Sequence, residues 1–187
     1  LHRKNWDRAF THYERAIRLE PWNGDHHYAL SLGYRRKFNT RKDPEILLKS
    51  IAEGEKALRL SPYRASLLFY LSTLYAEKDD FEKALSLLER AITQDPFEFR
   101  YYLRFAEISR EAAESALSQG REETASTYLE EALRLPARFE AVAKRSLRPF
   151  SWDTGKLNEI LEELERLRER NPKLFRNGRW NFPFSPS

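Results

Sequence analysis

The chain has no cysteine and no methionine among its 187 residues, and only 6 glycines. Without cysteine there is no disulfide, no thiolate metal site and no thiol nucleophile, whatever the compartment. The scattered glycines form no phosphate-cradling loop, and no nucleophile elbow is present. No apolar run approaches the roughly 20 residues a membrane-crossing helix needs, and no signal-peptide pattern occurs. An excess of one charge is lacking too. Lys and Arg number 33 against 29 Asp and Glu, a net +4, and the signs alternate along most segments. That balance describes a solvated surface and disfavours nucleic acid as a partner. Two basic clusters interrupt it, Arg35-Arg36-Lys37 with Arg41-Lys42, and Lys144-Arg145 with Arg148. An acidic peptide or an anionic glycan is the chemistry such clusters would meet.

Catalytic constellations are missing as well. The histidines are His2, His12, His26 and His27, and none has an acidic or cysteine partner at ligand spacing. They read as packing or surface residues. Glu159, Glu162 and Glu163 cluster on what reads as an exposed helix face. The sequence therefore points to no enzyme activity, no metal and no cofactor in this segment.

What is present is a repeat. Ala16, Ala57, Ala91 and Ala132 recur at spacings of 41, 34 and 41 residues, each followed by a proline: Pro21, Pro62, Pro96 and Pro136. Self-similarity at such a period marks stacked helix pairs, because one pair alone cannot cover its apolar stripe. Small alanines let antiparallel helices approach, and the proline pushes the residue before it out of helical geometry.

The segment with the shortest period reads Leu68-x2-Leu71-Ser72-x2-Tyr75, then Phe81-x2-Ala84-x3-Leu88-x2-Ala91-x4-Pro96. It resembles the tetratricopeptide repeat (TPR), with Leu68, Ser72 and Leu88 in place of the usual Trp, Gly and aromatic. His27-x2-Leu30-Ser31-x2-Tyr34 is in phase with it, as is Trp6-x2-Ala9-x3-Tyr13-x2-Ala16-x4-Pro21. The resemblance implies an all-α, right-handed superhelical stack of antiparallel helix pairs, with about nine helices. Its units would be a half repeat over 1–23, repeats over 24–64, 65–98 and 99–138, and a degenerate capping repeat over 139–173. An aromatic tail, 174–187, would follow.

The periodicity predicts helices near 4–19, 24–38, 44–60, 65–78, 80–94, 99–119, 121–135, 139–147 and 154–170. The two long repeats exceed the 34-residue period by seven, close to two helical turns, which lengthens a pair without rotating its buried face. In the third repeat the excess reads as helix, up to Gly120. In the first, part of it reads as a loop, Asn39 to Pro44, giving a protruding basic tip. Leu1 is not an initiator methionine and the pattern starts halfway through a repeat, so the chain reads as a piece of a longer protein. The Gly155–Pro172 stretch has the pattern's phase with a charged outer face and reads as a cap, its partner helix cut short by Pro149.

In TPR arrays the first helix of each pair lines a concave groove. The resemblance places Asp25, Tyr28, Ala29, Leu32 and Arg35 there from the first full repeat. Ser66, Phe69, Tyr70, Thr73 and Ala76 come from the second, and Arg100, Leu103, Arg104, Glu107 and Arg110 from the third. Tyr28, Arg35, Phe69, Tyr70, Arg100 and Arg104 are the expected partner-binding residues, since aromatics and arginines anchor most interfaces. The carboxylate clamp of chaperone-binding TPR domains is incomplete: Tyr28, Leu32 and Tyr70 stand where Lys, Asn and Asn belong, and only Arg100 and Arg104 fit.

The implied function is a non-catalytic scaffold that binds a protein or peptide partner of unknown identity. Aromatics after the repeat-ending prolines, Trp22, Tyr63 and Phe97, are similar to TPR regions of bacterial O-antigen ligase or polymerase membrane proteins. An extracytoplasmic accessory domain of such a protein is thus an alternative, and self-association through the N-terminal half repeat or the aromatic tail is another. The sequence leaves a cytoplasmic or extracytoplasmic location in a bacterium open.

Overall fold

The computed structural model describes residues 3–145 and 155–171. Nine helices run through them: α1 (Arg3–Leu19), α2 (Gly24–Arg41), α3 (Pro44–Leu60), α4 (Ala65–Ala76), α5 (Phe81–Gln94), α6 (Phe99–Ser118), α7 (Glu122–Leu133), α8 (Leu135–Ala143) and α9 (Gly155–Arg170). No strand occurs among the described residues. The closest partners are α2 with α3, α4 with α5 and α6 with α7, and each pair leans on the next. The result is an all-α stack of antiparallel helix pairs.

Local chemistry sets the boundaries. Asn23, Asp43, Asp80 and Glu98 each accept a backbone N–H of the helix that follows, and Pro44 opens α3, where a missing N–H costs nothing. The pattern alanines Ala57, Ala91 and Ala132 are fully enclosed, as are Ala84 and Ala125. One apolar core runs through the stack from Leu47 to Leu164, with Leu68, Leu71, Leu88 and Phe105 at its centre. Gly54 marks the closest approach: an added Cβ would lie 2.8 Å from Leu71 Cδ2 and 3.2 Å from Ser31 Oγ.

The expected loop over Asn39–Pro44 is helix through Arg41, and only Lys42 and Asp43 turn the chain. Thr40 keeps the last turn helical by donating its hydroxyl to the carbonyls of Arg36 and Lys37. Lys42 adopts a left-handed conformation (φ 53°), its N–H returns to Phe38 O, and its ammonium lies 5.2 Å over the Phe38 ring. The excess of the third pair is all in α6, which reaches Ser118 before Gly120 turns at φ 70°.

A second difference concerns Pro136. It does not merely end α7; it sits in the first turn of α8, which begins at Leu135 rather than near 139. The expected helix end at Pro149 and the tail Leu174–Phe184 lie outside the described residues.

The length differences shape one edge of the stack. Arg35 pairs with Glu77, the C-cap of α4, so residues 36–41 of α2 continue past the end of α4. At 1.5 Å per residue this is about 9 Å. The short α4–α5 pair is flanked by two longer ones.

Candidate partner-binding groove

The first helices α2, α4 and α6 carry the expected groove positions. Of the fifteen, only Tyr70 and Ala76 are buried. The others stay at least partly open.

Two neighbouring rings on α4 tie the three helices together. Tyr70 meets Tyr28 of α2 edge-on, with ring centroids 5.1 Å apart, and Phe69 meets Tyr101 of α6 at 5.3 Å. Tyr28 is half-buried, and the Arg64 guanidinium lies 5.0 Å over its ring while pairing with Asp25. Tyr70 is only 5% exposed. Its hydroxyl lies 3.0 Å from Ser31 Oγ and 3.2 Å from Ser50 Oγ. Burial pushes its phenol above the ordinary value, against the pull of those serine hydrogen bonds. Tyr70 thus packs against Tyr28, and Tyr28 and Phe69 remain partly exposed.

The arginines are each matched by a carboxylate. Arg35 bonds Glu77 at 2.8 Å and lies 5.7 Å over the Tyr70 ring. Arg100 is held by both oxygens of Glu98, at 2.9 and 2.8 Å, yet its side chain is 73% exposed. Those bonds hold the Glu98 carboxyl below its usual range. Arg104 reaches Glu107 at 3.0 Å and Glu111 at 3.5 Å. Arg110 reaches Glu114 at 2.9 Å and Glu163 of α9 at 3.3 Å.

Glu107 also takes Lys156 of α9 at 2.8 Å. Burial acts to raise the Glu107 carboxyl, but bonds from Lys156 and Arg104 outweigh it and hold it low. The basic end of the groove is thus neutralised within the chain, partly by α9. The partners on α9 lie some fifty residues away in sequence, which is why spacing alone did not reveal them.

A second concavity of about 320 Å³ opens between α1, α2 and α3, lined by Glu14, Arg18, His27, Tyr34, Glu53 and Lys56 among others. His27 Nδ1 lies 2.7 Å from Glu53 Oε2, and Lys56 Nζ lies 2.7 Å from Oε1. Ligand spacing shows no partner for His27, because Glu53 faces it from the opposite helix. Burial favours a raised Glu53 carboxyl, and the Lys56 and His27 bonds override it to leave it lowered. Among the described residues no three His, Asp or Glu side chains gather to hold a metal ion. No described helix is long and apolar enough to cross a membrane.

A stack of antiparallel helix pairs is the architecture of helical repeat proteins. Residues 66–97 match the family model described as tetratricopeptide repeat, and this part of the chain is such a repeat. Solved structures are similar to the chain over most of its length. One is the crystal structure of MamA, with a TM-score of 0.47 and 16% identity, covering 91% of this chain and 92% of that one. Another is PilF of Pseudomonas aeruginosa, at 0.46 and 22%, covering 96% and 72%. A third is the Sgt2 TPR domain of Aspergillus fumigatus, at 0.40 and 15%, covering 84% and 91%. No curated protein matches the chain.

Proposed function

We propose that the chain is a non-catalytic interaction module that seats a segment of a partner protein in the groove of α2, α4 and α6. The observation that carries this reading is the aromatic step built by Phe69 and Tyr70, which reaches Tyr101 and Tyr28 on the two flanking helices. Tyr28 and Phe69 stay partly exposed above the buried Tyr70, so a partner's apolar side chain gains buried area without reordering the groove. Arg100, pinned by Glu98 yet largely exposed, directs its remaining N–H donors to a carbonyl or carboxylate of the bound segment.

The test is a peptide-display selection on the purified chain, with each enriched peptide measured again on a Phe69→Ala, Arg100→Glu variant. Selected peptides should lose at least tenfold in affinity for the variant, as expected when an interface anchor worth over ~1.4 kcal/mol is removed. Peptides that bind both proteins equally well would place the partner surface elsewhere.

A further inference from the structure

Residues 35–49 hold six Lys and Arg against two Asp and Glu, leaving 27 of each sign elsewhere, so this one stretch accounts for the net charge of the whole chain. It is also the stretch that forms the end of the first helix pair, where α2 runs past α4 and turns into α3. Arg36, Arg41, Lys42 and Lys49 are exposed, and none forms an ion pair among the described residues. Along α6, by contrast, Arg100, Arg104 and Arg110 are each tied to a carboxylate. Of the two acids at the tip, Asp43 is engaged in capping Glu45 N.

An apolar element stands among these cations. Leu48, one turn into α3, is 49% exposed, and Phe38 lies half-buried beneath the Lys42 ammonium. The tip thus combines unpaired exposed cations with an exposed leucine. It suits a flat and laterally continuous array of negative charge with an apolar layer beneath.

We propose that this tip docks on an anionic lipid surface, with Arg36, Arg41, Lys42 and Lys49 at the phosphate level and Leu48 inserted between headgroups. The groove lies on other residues and stays free for a partner. Each cation near an anionic bilayer strengthens binding by about fivefold, and salt weakens the effect.

Co-sedimentation of the purified chain with vesicles tests it, using phosphatidylcholine alone against phosphatidylcholine mixed with phosphatidylglycerol. The chain should bind the mixed vesicles only. The Arg36→Gln, Arg41→Gln, Lys49→Gln variant should bind roughly a hundredfold more weakly. Leu48→Ser should weaken binding at unchanged charge. A control with the same charge loss away from the tip, Arg59→Gln, Arg90→Gln, Arg121→Gln, should change it by only a few-fold. All these side chains are exposed, and circular dichroism checks the helicity of each variant. Equal losses in the tip and control variants would overturn the assignment. So would tip-dependent capture of polyglutamate by a chain that ignores mixed vesicles, since that outcome identifies an acidic polypeptide as the ligand.

Discussion

The Tyr70 hydroxyl lies 3.0 Å from the Oγ of Ser31, joining two helix pairs through one buried hydrogen bond. The serines do not depend on it, because Ser31 also donates to Ser50 O at 2.6 Å and Ser50 to Ser31 O at 2.8 Å. Tyr70→Phe therefore leaves no orphaned donor and should cost only about 0.5–1.5 kcal/mol in denaturant unfolding. Groove binding by selected peptides should survive it, because the ring under Tyr28 remains. Tyr70→Ala empties the site and should cost about 3–5 kcal/mol, in line with other buried aromatic truncations.

Gly54 occupies the position that Leu88 and Leu129 fill in the next two pairs, counted back from Ala57, Ala91 and Ala132. Its lost side chain makes room for Leu71 and Ser31. Gly54→Ala should destabilise by about 1–2 kcal/mol despite the better helix propensity of alanine, because Leu71 is fully enclosed and has nowhere to move. Thermal unfolding would measure this, and a stabilised variant would show that the α3–α4 contact is softer than its spacing implies.

His27 and Glu53 stand where the second pair places Leu68 and Leu87, both buried. His27→Leu leaves Glu53 Oε2 enclosed without its bond while Lys56 still holds Oε1, and should lose about 1–3 kcal/mol. The double variant His27→Leu, Glu53→Leu restores the apolar pairing and should regain most of that loss. Chemical denaturation of the three proteins reads the result, and additive losses in the double variant would refute the pairing argument.

Glu107 gives a pH signature. Its carboxyl is held below the unfolded value of about 4.3 by Lys156 and Arg104, so it stabilises the fold above that value. The contribution disappears as pH falls through the lowered folded value. Lys156 is 60% exposed, so removing it should cost under about 1 kcal/mol at neutral pH. Thermal scans of wild type and Lys156→Gln should differ near neutrality and converge once the pH has fallen through the lowered folded value of Glu107. A constant gap at all pH values would mean that Lys156 acts through packing alone.

Much of the architecture was legible because its determinants are local. The alanine–proline period, the caps Asp43 and Pro44, and Gly120 each act within a few residues, and the corresponding helices lie close to where periodicity places them. Errors arose where two local signals competed. Asn39 and Thr40 are turn formers by type, yet Thr40 satisfies itself within the helix and the turn shrinks to Lys42 and Asp43. Pro136 stops one helix and starts the next, and only the second role moves the boundary of α8. The proposed groove positions rest on repeat phase, whereas the burial of Tyr70 and the pairing of Glu107 with Lys156 and of Arg110 with Glu163 involve other helices. No spacing rule contains Ser50, Lys156 or Glu163 as partners.

The helix pairs of this chain touch mainly their neighbours, and that has a mechanical consequence. Such a line of units opens by fraying, with the outer members held on one side only and the inner ones on both. The α4–α5 pair is clasped by α3 and by α6, so its amides should be the last to exchange with solvent. The aromatic step of the groove is anchored on α4, and its platform should therefore stay intact while the ends of the array breathe.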